Sequence, residues 1–216
     1  MKTWMLATID GVSSNDSALV PNHCSNVMRG IRGFERVVLF SFQKPSIRYN
    51  HEFIKIPKLD KYGYALWSIR ELCKHINTDY VLTIHPDGYI INPNLWSEEF
   101  LDYDYIGAPW QVRCVHNKNY RVGNSGFCIR SKKFCQMTSD CPVPYMLEND
   151  DVYFCQAIRG TYMPHEMYAP KELAARFSLE WDDSFGFSAK DVFGFHGFTE
   201  HRLRRKLNHA NYGYIL

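Results

Sequence analysis

The feature that most constrains the fold is a helix-period segment that runs directly into an apolar strand. From Tyr62 to Ile76 the residues Ala65, Ile69, Leu72, Cys73 and Ile76 recur at helical spacing, which predicts a helix with one buried face. After Asp79, Tyr80-Val81-Leu82-Thr83-Ile84 reads as a buried strand that stops at His85-Pro86-Asp87-Gly88. Upstream, Met5 to Ile9, closed by Asp10-Gly11, and Arg36 to Phe42 carry the same strand character, and Asn22 to Ile31, halted at Gly33, supplies a helix between them. Strand, helix and strand in that order need long crossovers, which are right-handed and generate a parallel sheet. The chain is 216 residues long and 45% hydrophobic, enough for one substantial core and short for two. The expected architecture is therefore α/β, a single domain over residues 1–216 with a mostly parallel central sheet flanked by helices. Ligands of such sheets gather at the carboxyl ends of the strands, so a site is expected just after Ile84.

Charge and cysteine usage narrow the function classes. The 25 basic and 23 acidic residues nearly cancel to +2, so no overall field points to nucleic acid or a membrane as an obligatory partner. The opening MKTWMLATIDG reaches Asp10 without an apolar core or a small-residue cleavage position, and no signal peptide is expected. No run of about 18 apolar residues occurs, so no transmembrane segment is expected either. Cys24, Cys73, Cys114, Cys128, Cys135, Cys141 and Cys155 are odd in number and contain no CxxC pair. They read as free, small hydrophobes, and a reducing cytoplasmic location is the expectation.

Four short constellations can carry chemistry. His85 and Asp87 form an i, i+2 pair leaving a strand, which aims both side chains to one side. A carboxylate there can hold Mg²⁺ or Mn²⁺ against a diphosphate, because these ions take oxygen ligands; a plain Asp-Gly turn is the alternative. Glu148-Asn149-Asp150-Asp151 precedes the apolar run Val152 to Ile158. Acids there suit helix capping, and a carboxylate facing a cleft also suits a general base. Gly123 and Gly126 flank Asn124 and Ser125, a pattern that permits close backbone approach to a sugar or phosphate, or a tight turn. Lastly, Phe193-Gly194-Phe195-His196-Gly197-Phe198 sets an imidazole between glycines and aromatics, as a structural residue or a metal ligand.

Taken in order, these pieces resemble the GT-A glycosyltransferase superfamily, which has a DxD-type metal turn, a glycine loop, an xED-type acidic motif and a late metal-ligating histidine. With Tyr103-Asp104-Tyr105-Ile106-Gly107-Ala108-Pro109-Trp110 and Ala169-Pro170-Lys171-Glu172-Leu173-Ala174, they are most similar to an uncharacterised family of short GT-A-like glycosyltransferases, over about Thr8 to Phe198. The resemblance implies a GT-A, Rossmann-like domain with hexosyl- or pentosyltransferase activity. It would use Mn²⁺ or Mg²⁺ to move a sugar from a nucleotide diphosphate donor, a UDP-sugar, to an acceptor hydroxyl on a glycan or a hydroxylated DNA base. His85 and Asp87 stand where the two aspartates of the metal turn stand, the histidine being a departure from the pattern, and His196 matches the late ligand. Asp87, His196 and His85 are thus the implied metal set. Asp151 is the implied base of an inverting reaction, with Asp150 as substitute. Thr8 and Asp10 match the uridine-contacting region by position, and Gly123, Asn124, Ser125 and Gly126, with His85 and Asp87, complete the donor side.

Two rival readings follow from the same residues. A non-catalytic nucleotide-sugar-binding module would keep the fold without turnover, and His85 at the metal turn is its motive. A sugar nucleotidyltransferase would need a glycine-rich loop after the first strand, whereas Ile9 to Asp16 holds a single glycine. The tail His201-Arg202-Leu203-Arg204-Arg205-Lys206-Leu207, within an expected basic helix at about 199–208, reads as a solvated face or as an anion-recognising element.

Overall fold

The computed structural model describes residues 1–11, 18–111, 117–145, 149–180 and 186–197. Cys114, Glu148, Trp181 and the basic tail lie outside the described residues.

The sheet grows from the apolar runs. β1 (Trp4–Asp10) is buried along its whole length and lies at the centre, with β2 (Arg36–Ser41) and β4 (Tyr80–Ile84) parallel to it on either side. β3 (Glu52–Lys55) extends β2 in parallel, whereas β7 (Phe127–Ser131) and β6 (Tyr105–Gly107) add antiparallel beyond β4. The order among the described residues is β3-β2-β1-β4-β7-β6, a mixed α/β sheet that is mostly parallel and is flanked by helices. Side-chain alternation sends Trp4 and Leu6 into the core on one face and Met5, Ala7 and Ile9 into the core on the other. A strand covered on both faces must be continuously apolar, which is why β1 and β4 were legible as runs.

Two helices differ from expectation. α1 spans Leu19–Met28, three residues earlier than the periodicity predicts, with Pro21 in its first turn, where a missing N–H costs nothing. α2 spans Lys61–Arg70 and is capped by Asp60, which accepts from the Gly63 N–H at 2.7 Å. Beyond Glu71 the expected single helix tightens into a 3-10 turn, Leu72–His75. Leu72, Cys73 and Ile76 stay buried through this change, so the apolar face is kept. α3 (Lys132–Asp140) follows β7 directly, its first turn capped by Ser131.

A second, smaller sheet carries the end of the described chain. β5 (Tyr89–Ile90) pairs antiparallel with β9 (Gly194–Phe195), which pairs parallel with β8 (Ser178–Leu179). β8 continues from α5 (Lys171–Phe177). An aromatic cluster locks this sheet to the main one: the Phe127 ring lies 5.2 Å from Phe177 and 5.9 Å from Phe193. The six described cysteines are free and buried. No helix among the described residues is long and apolar enough to cross a membrane.

Gly194 marks the tightest point of this junction, since a Cβ there would lie 2.2 Å from the Phe127 ring. Gly194→Ala is expected to lower unfolding free energy by about 1–3 kcal/mol through overpacking. Urea denaturation monitored by intrinsic fluorescence checks this, and an unchanged midpoint would refute the packing assignment.

Candidate active site

The carboxyl end of β4 is shaped by two short backbone links. The His85 N–H donates to the Gly126 carbonyl at 2.8 Å, and the Gly88 N–H returns to the His85 carbonyl at 2.9 Å, closing a turn that pushes Asp87 outward. Immediately after it, β5 meets β9 with Tyr89 opposite Phe195, and the His196 N–H is held by the Leu179 carbonyl at 2.9 Å. Antiparallel register therefore sets His196 beside the turn. Its Nε2 lies 3.3 Å from Asp87 Oδ1, and its ring stands nearly perpendicular to that of His85, with centroids 5.1 Å apart. One potential ligand atom from each of His85, Asp87 and His196 lies within 4.8 Å of the others. The imidazole covers the backbone of Gly126, where a Cβ would fall 2.1 Å from its Nε2, so only glycine fits.

Asn124 holds this arrangement from below. It is 1% exposed and adopts φ +63°, a left-handed conformation that asparagine tolerates. Its Oδ1 accepts from the N–H groups of Gly126 (2.9 Å) and Phe127 (3.2 Å), while its Nδ2 faces His196 Nδ1 at 2.9 Å. With the amide oriented by two backbone donors, His196 Nδ1 must accept, so the neutral ring carries its proton on Nε2, toward Asp87. Burial opposes charge on His196, but the hydrogen bond and charge of Asp87 outweigh it and raise its pKa. Burial likewise disfavours the Asp87 carboxylate, and the two histidines overcome it, holding Asp87 down at about 2. His85 is pushed down to about 4, by burial first and then by His196, and its Nε2 is bonded to the Tyr64 hydroxyl at 2.5 Å. Asp87 thus offers a charge and His85 a neutral imidazole. His196 offers a lone pair only when its Nε2 proton leaves, the release that metal binding drives.

The acidic pair sits on the other side of the same loop. Asp150 opens α4 (Asp150–Val152) and is 3% exposed; its Oδ1 accepts from the Ser125 hydroxyl at 2.6 Å and from the Asp151 N–H at 3.0 Å. The capping position belongs to Asn149, which makes no side-chain cap bond, so Asp150 has turned inward to the glycine loop. Asp151 is half-buried and accepts from the Val152 N–H at 2.8 Å. Burial raises its pKa to about 7, assisted by the neighbouring charges of Asp150 and Glu180. Two carboxylates in different environments, one sealed and one half-buried, are an arrangement suited to acid–base work.

The family model described as protein of unknown function DUF5672 matches residues 51–196. The chain belongs to this family. No curated protein matches it. Among solved structures, a glycosyltransferase involved in the glycosylation of the major capsid of PBCV-1 is similar over 96% of this chain and 99% of its own, at TM-score 0.55 and 12% identity. The bifunctional IspDF from Campylobacter jejuni aligns with 72% of this chain at TM-score 0.42 and 16% identity, and the DUF5672 chain spans 47% of its length. At such identities the likeness to the capsid glycosyltransferase is one of fold.

The remaining expected residues of this DUF5672 protein fall at the same sheet edge without joining the cluster. Thr8 is in register with Ile84 on the neighbouring strand, with its buried Oγ1 unpartnered, and Asp10 lies opposite Ser41, 4% exposed. Gly123 packs under Trp110, where a Cβ would approach the indole to 2.4 Å, so it serves packing there. Sequence reasoning missed Tyr64 and Glu180. Tyr64 was hidden among the helical residues of α2; Glu180, whose pKa is raised by burial, reaches the site only because β8 pairs with β9.

Asn124→Gly keeps the backbone conformation but removes the buried side-chain bonds, and is expected to cost about 1–3 kcal/mol. Asn124→Ala adds about 1 kcal/mol more, because alanine resists the left-handed region. Thermal and urea denaturation of both variants check the order, and an alanine variant as stable as the glycine one would refute it.

Proposed function

We propose that this protein is a metal-dependent glycosyltransferase of GT-A type, one domain over residues 1–216, that moves a sugar from a nucleotide diphosphate donor, a UDP-sugar, to an acceptor hydroxyl with inversion. The observation that carries the reading is a single loop, residues 123–126, joining two chemistries at the carboxyl edge of β4. Asn124 bonds to His196 of the His85–Asp87–His196 cluster, and Ser125 bonds to Asp150 of the acidic pair. The shared fold of the capsid glycosyltransferase supports it.

In this reading Asp87, His85 and His196 would hold Mn²⁺ or Mg²⁺, which when bound neutralises the charge gathering on the departing diphosphate. Two imidazoles with one carboxylate favour a transition ion such as Mn²⁺ over Mg²⁺. Asp151 accepts the acceptor's hydroxyl proton as the new bond to the anomeric carbon forms and the bond to phosphate breaks, its electron pair leaving with the diphosphate. A base needs a pKa near the working pH, and the sealed charge of Asp150 helps supply it. Thr8 and Asp10 border the nucleotide at the end of β1, and the glycines let the 123–126 backbone approach the donor. The acceptor carries a free hydroxyl, on a glycan or a hydroxylated DNA base.

A second reading, binding without turnover, is favoured by one feature: His196 Nε2 and Asp87 already face each other at 3.3 Å, and the Asn124 amide holds the tautomer that lets them pair without a metal. UDP-sugar hydrolysis in the presence of Mn²⁺ separates the two.

Three outcomes are expected. Asp151→Asn should lower transfer by about 10²–10⁴-fold with nucleotide binding retained, and near-normal transfer would overturn the base assignment. Wild-type kcat/KM should rise with pH up to about 7 and level off above it, because the raised carboxyl must ionise to act; a flat profile between pH 5 and 8 would contradict this. Asp87→Asn should weaken Mn²⁺-dependent UDP binding in calorimetry, with unaltered metal dependence counting against the cluster.

A further inference from the structure

Beyond the acidic pair lies a cleft of about 480 Å³ whose lining includes Lys118, Arg121, Arg159 and Lys171, with Glu172 as its one acid among the described residues. Glu172 forms an ion pair with Lys171 at 3.3 Å. Arg159 is the centre of the cleft's chemistry. Its guanidinium stacks on Tyr168 at 4.1 Å and on Tyr120 at 4.9 Å, and its Nε and Nη1 are buried with no hydrogen-bond partner. Buried guanidinium donors without acceptors are costly, and stacked arginines are suited to oxyanions.

The walls are built in advance. Gln156 accepts from the Asn117 N–H at 2.9 Å and donates to the Tyr120 carbonyl at 2.6 Å, tying the 117–120 turn to the segment after α4. Tyr168 donates to the Phe154 carbonyl at 2.6 Å, and Arg121 Nε donates to the Trp110 carbonyl at 2.8 Å. These segments also build the proposed reaction site. Arg121 and Val122 run straight into Gly123–Gly126, and Arg159 lies one residue past Ile158, which caps the π-helical turn Tyr153–Ala157 that follows Asp150 and Asp151. The buried Cys155 thiol on this turn feels both groups, the Asp151 carboxylate raising its pKa and the Arg159 guanidinium lowering it.

We infer that this cleft binds a phosphate monoester carried by the acceptor, with Arg159 as its principal ligand and Lys118 at its rim. A stacked guanidinium with two unsatisfied donors, in a cleft that three further cationic side chains line, matches a dianion better than a single carboxylate. The assignment to the acceptor rests on the glycosyltransferase reading; the phosphate site itself does not.

Calorimetric titration of the full chain with glucose 6-phosphate and with glucuronate, at fixed ionic strength and with or without UDP and Mn²⁺, tests it. Expected are binding of the phosphate ester at least about tenfold tighter than glucuronate, and a loss of about tenfold in Arg159→Met. Lys118→Ala, at an exposed position that does not threaten folding, should weaken binding about threefold, as a single screened charge does. UDP–Mn²⁺ binding should be unchanged in both variants. Equal affinity for glucuronate, equal affinity in both variants, or competition between glucose 6-phosphate and UDP would overturn the site. Failure of the wild type to bind UDP with Mn²⁺ at all would sink the glycosyltransferase reading while leaving the phosphate titration to decide the cleft.

Discussion

The rest of the site depends on the pairing of two residues, Tyr89 with Phe195. Side chains alternate across a strand, so a slip of one residue in this register would carry the His196 imidazole to the opposite face, away from Asp87. The pairing is short and would be marginal by itself. It is held by the parallel partner β8 and by the ring cluster of Phe127, Phe177 and Phe193, so ordinary aromatic burial keeps a polar constellation in place.

The electrostatics form one connected problem. Asp87, Asp150, Asp151 and Glu180 bring acid toward a sheet edge, and His196 and a buried arginine answer it. Arg130, 1% exposed on β7, bonds through Nη1 to the Ser68 hydroxyl at 3.2 Å and lies over the Phe154 ring at 5.1 Å. Its charge is felt by His85 and by Tyr64. A buried cation is costly to desolvate, and the charge of Asp150 offsets part of that cost. The opposite shifts of Asp87, held down, and Asp151, pushed up, follow from which neighbours each meets: protonatable imidazoles in the first case, other carboxylates in the second.

Two backbone segments, 121–126 and 149–159, are each used twice. One end of each contributes to the acidic pair or the histidine cluster, and the other end lines the cationic cleft. An acceptor held by its charge at one end of these segments would present its hydroxyl at the other, which is how binding energy remote from the reacting bond is turned into positioning.

The fold class was legible because β1, β2 and β4 are covered on both faces, and only continuous apolar runs satisfy such positions; the α2 periodicity survived its break at Glu71 for the same reason, since burial and not hydrogen-bond type dictates the pattern. His85 and Asp87 were legible as a pair because they are local, and Gly123 to Gly126 as a close-approach loop or tight turn, whereas the left-handed backbone of Asn124 came only with the structure. The antiparallel course of β7, the contacts of Tyr64 and Glu180, and the inward turn of Asp150 were not, because each is decided by a partner distant in the chain. By itself the sequence determined the buried central strands and the amphipathic helix before β4, through local propensity and burial pattern. Only the tertiary structure decided which of the candidate site residues meet and in what protonation state, because strand register and desolvation arise only once remote segments pack together.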